Sequence, residues 1–422
     1  MTGQYWIQTL GCPKNEVDSD KLVGTLTSDG MTAAESPHDA DLIVVNTCAF
    51  IESARQESID TVLALADKTP DAKMVVTGCM AERYGDELAA ALPEVDSVSG
   101  FGVPVTLGTK PVGPLDLSSF DLLNLPRPAS SRPWAYVKIA EGCDRNCGFC
   151  AIPTFRGPQR SRSHESILDE VRGLEAKEIV LVAQDLAAFG RDQGQGERTI
   201  VQLVSEVSNL VDRVRLLYLY PSDLTEELIQ QILATGVPYF DLSLQHVSRP
   251  LMRLMRRWGD GERFLERIDY IRTLSPDAAF RSNFIVGYPG ETEADHDALL
   301  DFVERAQLDW CGFFAYSREE GTYAADLTGA VDAELVNERL RELTDLQDRI
   351  TAARRDALIG ETVTVLVDAR GVGRTHREAP EIDGVVLVAE ELAVGQLHEV
   401  TVTGALGPDL ITAGADIEDF EQ

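Results

Sequence analysis

The chain has 422 residues, with 38 Lys and Arg against 70 Asp and Glu and a formal net charge of −32. That length exceeds what a single core fills and predicts two or three domains. So large an acid excess opposes a phosphate backbone, whose binding needs neutralising Lys and Arg, and direct nucleic-acid binding is not expected. The opening M-T-G-Q-Y-W-I-Q carries no charged-then-apolar leader, and no apolar run approaches the ~18 residues of a membrane span. The expected compartment is the cytoplasm, without membrane contact. Seven cysteines in that reducing setting read as thiols available to metal rather than as disulfides.

Residues 1–120 alternate β-type apolar runs with helical stretches, the pattern of an open parallel sheet with helices on its faces. Three runs, 5–10, 42–45 and 74–77, lead directly into Cys12, Cys48 and Cys79. The C-terminal ends of such strands share one edge, where ligands bind. Singly, each cysteine reads as a small buried hydrophobe. Their repeated placement predicts that the three meet as a metal-binding trio. Residues 121–133 lose periodicity and gather Pro126, Pro128 and Pro133, which predicts a linker.

A second domain is expected over 134–358. Its first strand, 135–139, is followed by E-G-C-D-R-N-C-G-F-C, which sets Cys143, Cys147 and Cys150 at C-x3-C-x2-C spacing. Three thiolates so close suit three irons of a 4Fe-4S cube and leave the fourth iron free for a small-molecule chelator. A structural zinc knuckle is the alternative; it wants four ligands, and the nearest further candidate is the distant His164. Further strands are expected at 178–182, 215–219, 240–244, 281–286 and 312–316, with helices such as 163–176 and 262–274 between them. Six βα units predict a partial barrel whose post-strand loops build the active site. Gln184, Asp185, Tyr220, Gln245, His246 and the P-G-E-T run 289–292 are then expected to face its cavity. Arg145, Arg156, Arg160 and Arg162 are expected to crowd the cluster loop, where positive charge favours the reduced cluster. Cys311 reads as a buried strand residue. Spacing assigns no role to Lys14 or Asn15.

Apolar residues at Leu335, Val336, Leu340, Leu343, Leu346 and Ile350 predict a long helix over 332–359 that straps domains together. From 359 to 422, short alternating strands divided by glycine turns predict a small β-barrel of the OB type. That segment holds three basic residues, Arg370, Arg374 and Arg377, against 13 acids. Such a balance favours a basic protein over RNA as its partner.

Taken together, the motifs resemble those of the radical S-adenosylmethionine (SAM) methylthiotransferases over essentially the whole chain. The matching runs are G-C-P-K-N-E-V-D-S-D (11–20), V-N-T-C-A-F-I (45–51), T-G-C-M-A (77–81), E-G-C-D-R-N-C-G-F-C-A-I-P-T-F-R-G (141–157), L-V-A-Q-D (181–185), I-V-G-Y-P-G-E-T (285–292), Y-S-R-E-E-G-T (316–322) and G-R-T-H-R-E-A-P-E-I-D-G (373–384). Gln245-His246, Glu319-Glu320-Gly321 and the E-A-P-E-I-D-G run resemble the RimO-type branch, which modifies an aspartate of small-subunit ribosomal protein twelve; the other branch modifies an adenosine in transfer RNA. The resemblance implies an N-terminal cluster domain, a radical-SAM barrel and a C-terminal TRAM barrel in one cytoplasmic transferase. It implies two 4Fe-4S clusters, one on Cys143, Cys147 and Cys150 that chelates SAM and another on Cys12, Cys48 and Cys79 that carries the sulfur. A deoxyadenosyl radical would take hydrogen from the β-carbon of the aspartate, and a second SAM would supply the methyl group. The implied electron donor is a flavodoxin or ferredoxin, and a monomer is expected. A non-catalytic iron–sulfur scaffold is the rival from another class; it predicts no SAM cleavage.

Overall fold

The computed structural model describes residues 3–105, 121–194 and 196–416; the end of the expected first domain, 106–120, lies outside the described residues. In the first domain β1 (Gln4–Thr9), α1 (Pro13–Ser28), β2 (Thr32–Ala33), β3 (Leu42–Thr47), α2 (Glu52–Lys68), β4 (Lys73–Gly78), α3 (Cys79–Ala91) and β5 (Ser97–Ser99) follow in order. The strands form one parallel sheet in the order β2-β1-β3-β4-β5. The central β3, L-I-V-V-N-T, is buried at every position, as a strand covered by helices on both faces requires. Register then matters for function. Thr9 pairs with Asn46 and Asn46 with Thr77, so the C-terminal ends of β1, β3 and β4 finish level with one another.

The expected linker, 121–133, is a packed strap. Leu122 is buried in the first domain's core beside Val105, and Arg127 pairs with Glu170 at 2.9 Å and Asp20 at 2.8 Å. The prolines do break periodicity, but two buried leucines and a buried guanidinium fasten the segment down.

The second domain opens with β6 (Trp134–Lys138) and the short pair β7 (Ala140–Glu141) and β8 (Arg160–Ser161), between which lie the cysteine loop and α4 (Ile152–Arg156). It continues through α5 (His164–Leu174), β9 (Glu178–Val182), α6 (Ile200–Ser208), β10 (Arg213–Leu216), α7 (Glu226–Leu233), β11 (Tyr239–Gln245), α8 (Arg249–Leu254), α9 (Gly261–Leu274), β12 (Ala279–Val286), α10 (Glu293–Ala306) and β13 (Trp310–Ala315). Two three-stranded parallel sheets, β10-β9-β6 and β11-β12-β13, are joined by a bridge between Leu219 and Leu242. The result is a six-stranded open barrel in strand order. Its inner face buries Trp134, Tyr136, Val180, Val182 and Tyr239, and Val17 of α1 and Ala379 pack into the same cluster.

Helix α11 (Ala333–Asp356) begins at an Asp332 cap and packs Val336, Leu343 and Ile350 into the barrel core. It leads into β14 (Thr362–Ala369), β15 (Val372–Arg374), β16 (Val386–Leu387), β17 (Leu397–Leu406) and β18 (Asp409–Thr412), which close as a small barrel. The seam between the two barrels is ionic and buried. Glu178 bonds Arg215 at 2.8 Å and Arg374 at 3.2 Å, Glu378 bonds Arg355 at 2.5 Å, and Asp383 meets Arg281 and accepts from Tyr239 at 2.6 Å. Glu378 and Asp383 of the E-A-P-E-I-D-G run thus face inward. Part of the terminal barrel's acidity therefore holds domains together and is not presented to a partner.

Burial pushes the Glu178 carboxyl up, but Arg215 and Arg374 outweigh it and hold it at about 2 against an ordinary 4.5. A depressed folded value stabilises fully above the unfolded one and is lost as pH falls through the folded one, here from about 4.5 toward 2. Acidification across that window is expected to cost about 3 kcal/mol at this seam. Urea midpoints followed by near-ultraviolet dichroism should fall in parent protein between pH 5 and 3, and Glu178→Gln should flatten that part of the slope.

Candidate functional site

Cys12 caps α1 just beyond β1, Cys48 follows β3, and Cys79 opens α3 just beyond β4. Level strand ends therefore bring these three residues to one edge of the sheet. Gly11, at φ +97°, makes the approach possible, since a Cβ there would lie 2.8 Å from the Cys48 Cβ. Cys48 and Cys79 are buried. Burial pushes the Cys48 thiol up to about 12, and repulsion from Cys12 and Cys79 adds to it. Burial also raises Cys79, despite Arg156. Cys12 alone of the three moves down, because Lys14 and Arg156 outweigh its burial.

The second trio sits on the loop after β7. Gly142, at φ +80°, turns the chain against Pro158, leaving no room for a side chain. Burial pushes the Cys143 thiol up to about 11, with Asp185 and Cys147 contributing, and Cys150 up to about 12, with Cys147 and Cys143 contributing. All seven cysteines are free. Clustered, buried or half-buried thiols without disulfide partners fit a polynuclear metal group, which takes thiolates and releases their protons on binding. Three thiols per trio fit a cube with one open corner; among the described residues no three His, Cys, Asp or Glu side chains converge on one ion. His164 is turned elsewhere, to Glu206 at 2.6 Å and Thr199 at 3.0 Å, so it does not complete a zinc knuckle.

A buried polar network runs from the base of the cluster loop to the Cys12, Cys48 and Cys79 trio. Arg156 donates to Glu141 at 2.7 Å, to Asn15 at 3.0 Å and to the Cys79 Sγ at 2.9 Å. Lys138 joins Glu141, at 2.8 Å, to Asp18. Asn15 also donates to the carbonyls of Leu10 and Thr47, tying together the ends of β1 and β3. Arg156 thus comes from the cluster loop but serves the opposite trio. Of the four arginines expected around Cys143, Arg145 remains beside it, bound to Asp185 at 2.6 Å and to Asp223. Arg160 faces Asp121 at the surface, and Arg162 pairs with Glu170 at 2.6 Å. The expectation that all four charge the loop is corrected: three are drawn away by carboxylates or by the other trio.

Arg257 went unnoticed in the sequence and stands 3.5 Å from the Cys147 Sγ. Tyr220 lies between its guanidinium and that of Arg145, with ring-centre distances of 4.1 and 3.8 Å. Nothing local in M-R-R-W marks this arginine. The barrel's curvature brings it there. A cavity of about 210 Å³ opens beside this trio, lined by Asp144, Arg145, Cys147, Asp185 and Tyr220 among others.

Other expected cavity residues are placed differently. Gln184 donates to Glu141 at 2.6 Å. Gln245, at φ +74°, marks a strained turn at the end of β11. His246 is fully buried, accepts from the Ser248 N–H at 3.0 Å and is pushed down to about 4 by burial, as a neutral turn-holding residue. The P-G-E-T run does not line the cavity: Glu291 accepts from the Gly287 N–H at 2.6 Å and from Arg339 at 2.9 Å, and Thr292 caps α10. Cys311 lies in β13 opposite Ser282, against the barrel core. Glu319 is a latch between domains, bonding Arg55 at 2.6 Å and Arg83 at 2.7 Å.

The chain matches three family models: uncharacterized protein family UPF0004 over residues 4–100, the radical SAM superfamily over 137–303, and the TRAM domain over 359–413. It is 40% identical to the ribosomal protein uS12 methylthiotransferase RimO of Cutibacterium acnes over 97% of each chain. It is 42% identical to the protein of the same name from Moorella thermoacetica, over 90% of this chain and 91% of the relative. The chain belongs to the RimO family. Among solved structures it is similar to the radical SAM methyltransferase TsrM of Kitasatospora setae, at TM-score 0.48 and 13% identity over 77% of each chain. For a RimO-family chain, the three models fall on the sheet domain, the open barrel and the closed terminal barrel described above. Across all described residues no helix is long and apolar enough to cross a membrane.

Proposed function

We propose that this chain transfers a methylthio group to the β-carbon of an aspartate of small-subunit ribosomal protein uS12. The observation that carries the reading is the pair of three-thiol sites, one at a sheet edge and one on a barrel loop, with Arg156 of that loop reaching the Cys79 Sγ of the other site. In this reading Cys143, Cys147 and Cys150 hold one 4Fe-4S cluster, and Cys12, Cys48 and Cys79 hold the other. Clusters of this kind, with SAM, supply one-electron chemistry able to break an unactivated C–H bond, together with an open iron site for sulfur.

The chain's own residues supply placement. Arg156 sets positive charge beside an anionic sulfur-rich site, while Glu141 and Lys138 keep that guanidinium oriented. The Arg145–Tyr220–Arg257 stack walls the loop trio. Glu319, gripped by Arg55 and Arg83, holds the sheet domain against the barrel and so helps exclude water from the space between the trios. We assign the electron supply to a flavodoxin or ferredoxin, and we take the protein to act as a cytoplasmic monomer without direct nucleic-acid contact. Mass spectrometry of uS12 from cells lacking this chain is expected to lose one methylthio group from a single aspartate, restored by the cloned gene. An unchanged uS12 mass would remove the substrate assignment.

A further inference from the structure

Lys14 is 8% exposed and extends from the first turn of α1, two residues past Cys12. Its ammonium lies 3.4 Å from the ring centre of Tyr218, a residue between β10 and β11 on the barrel side. Among the described residues no oxygen acceptor lies within hydrogen-bonding distance of that ammonium. The neighbouring cations are already engaged: Arg156 with Glu141 and Asn15, Lys138 with Asp18 and Glu141, Arg145 with Asp185 and Asp223, and Arg257 with the Cys147 Sγ and the Ser243 carbonyl. The Cys12 thiol and the buried Asp241 carboxylate share its field without bonding it, so its three donors are free for an entering anion. Tyr218, under it, holds φ +65°, a conformation rare for a bulky residue, and its N–H is tied to Asp241 at 2.9 Å. The barrel therefore keeps strained backbone at the point where it supports this lysine.

We propose that Lys14 binds the side-chain carboxylate of the substrate aspartate, an assignment that rests on the uS12 reading above. The carbon to be modified is bonded directly to that carboxylate, so whatever holds the carboxylate also positions the reacting carbon. A compact ammonium with rotatable donors suits a single carboxylate that must enter and leave. The same contact explains a choice of aspartate over asparagine, because the neutral amide forfeits the charge-assisted hydrogen bond to the ammonium.

The test uses holoprotein with both clusters, without reductant, titrated calorimetrically with uS12 and with uS12 carrying asparagine at the target position. Parent protein is expected to prefer the aspartate form by about tenfold or more. Lys14→Met is expected to bind both forms equally, at the affinity parent shows for the asparagine form, with iron unchanged at about eight per chain. Lys14→Gln, similar in reach and uncharged, carries the same expectation should the Met variant fold poorly. A preference that survives in both variants overturns the assignment. So does loss of about half the iron from both, which would make Lys14 a counter-ion of the Cys12 trio. Failure of parent protein to modify uS12 at all sinks the underlying activity instead, and that arm is read on parent protein alone.

Discussion

Replacing Cys12, Cys48 and Cys79 together by alanine is expected to lower the iron of anaerobically reconstituted protein from about eight to about four atoms per chain. SAM cleavage, read as deoxyadenosine released under reductant, should persist, because Cys143, Cys147 and Cys150 lie on a different loop and domain. Methylthiolated uS12 should disappear. The reciprocal variant, alanine at Cys143, Cys147 and Cys150, should also lose about half the iron but should abolish deoxyadenosine formation as well. Beyond the stabilisation lost with the cluster, the cost to folding should be small in both cases, since each change trades a small thiol for a methyl group. Full iron in either variant, or loss of SAM cleavage in the first, would overturn the two-site assignment.

Arg156→Met is expected to lower stability by about 3–5 kcal/mol, the largest effect anticipated for one substitution in this chain. Arg156 and Lys138 balance Asp18 and Glu141 in a pocket where all four side chains are buried. Burial alone would raise the Glu141 carboxyl; Arg156 and Lys138 together hold it far below the usual carboxylate range. Removing the guanidinium leaves one carboxylate uncompensated and takes the donor away from the Cys79 Sγ. Urea titration should register the loss as a lower midpoint. Adding Glu141→Gln should recover more than half of it, as expected for directly coupled groups. Arg156→Lys restores charge without the two-pronged donor geometry and should recover part. An Arg156→Met midpoint within about 1 kcal/mol of parent would show that the network is solvated and carries little.

Residue pattern and family resemblance made the domain plan and the two thiol sets legible. The strand runs over 42–45, 74–77 and 178–182 fall within β3, β4 and β9, because β-branched runs buried on both faces leave a continuous apolar signature. The arginines behaved otherwise. Arg156, Arg160 and Arg162 are neighbours in sequence yet meet three separate partners, two of them buried and one at the surface, since tertiary packing decides which carboxylate lies within reach of each long side chain. The acid excess of 359–422 shows the same limit: as a whole it reads as favouring a basic partner, whereas Glu378 and Asp383 within it neutralise arginines in an interdomain seam.

What the amino-acid order determined alone is local: which cysteines stand at strand ends, which glycines allow the turns before them, and which periodicities make sheet, barrel and strap helix. What folding decided is which distant charges meet. The level register of β1, β3 and β4 gathers Cys12, Cys48 and Cys79, and barrel closure brings Arg257 to Cys147 and Tyr218 beneath Lys14. Periodicity is carried by bonds between neighbours and is readable along the chain, whereas an ion pair or a shared thiol site depends on separations across it, and those exist only once the sheets have packed.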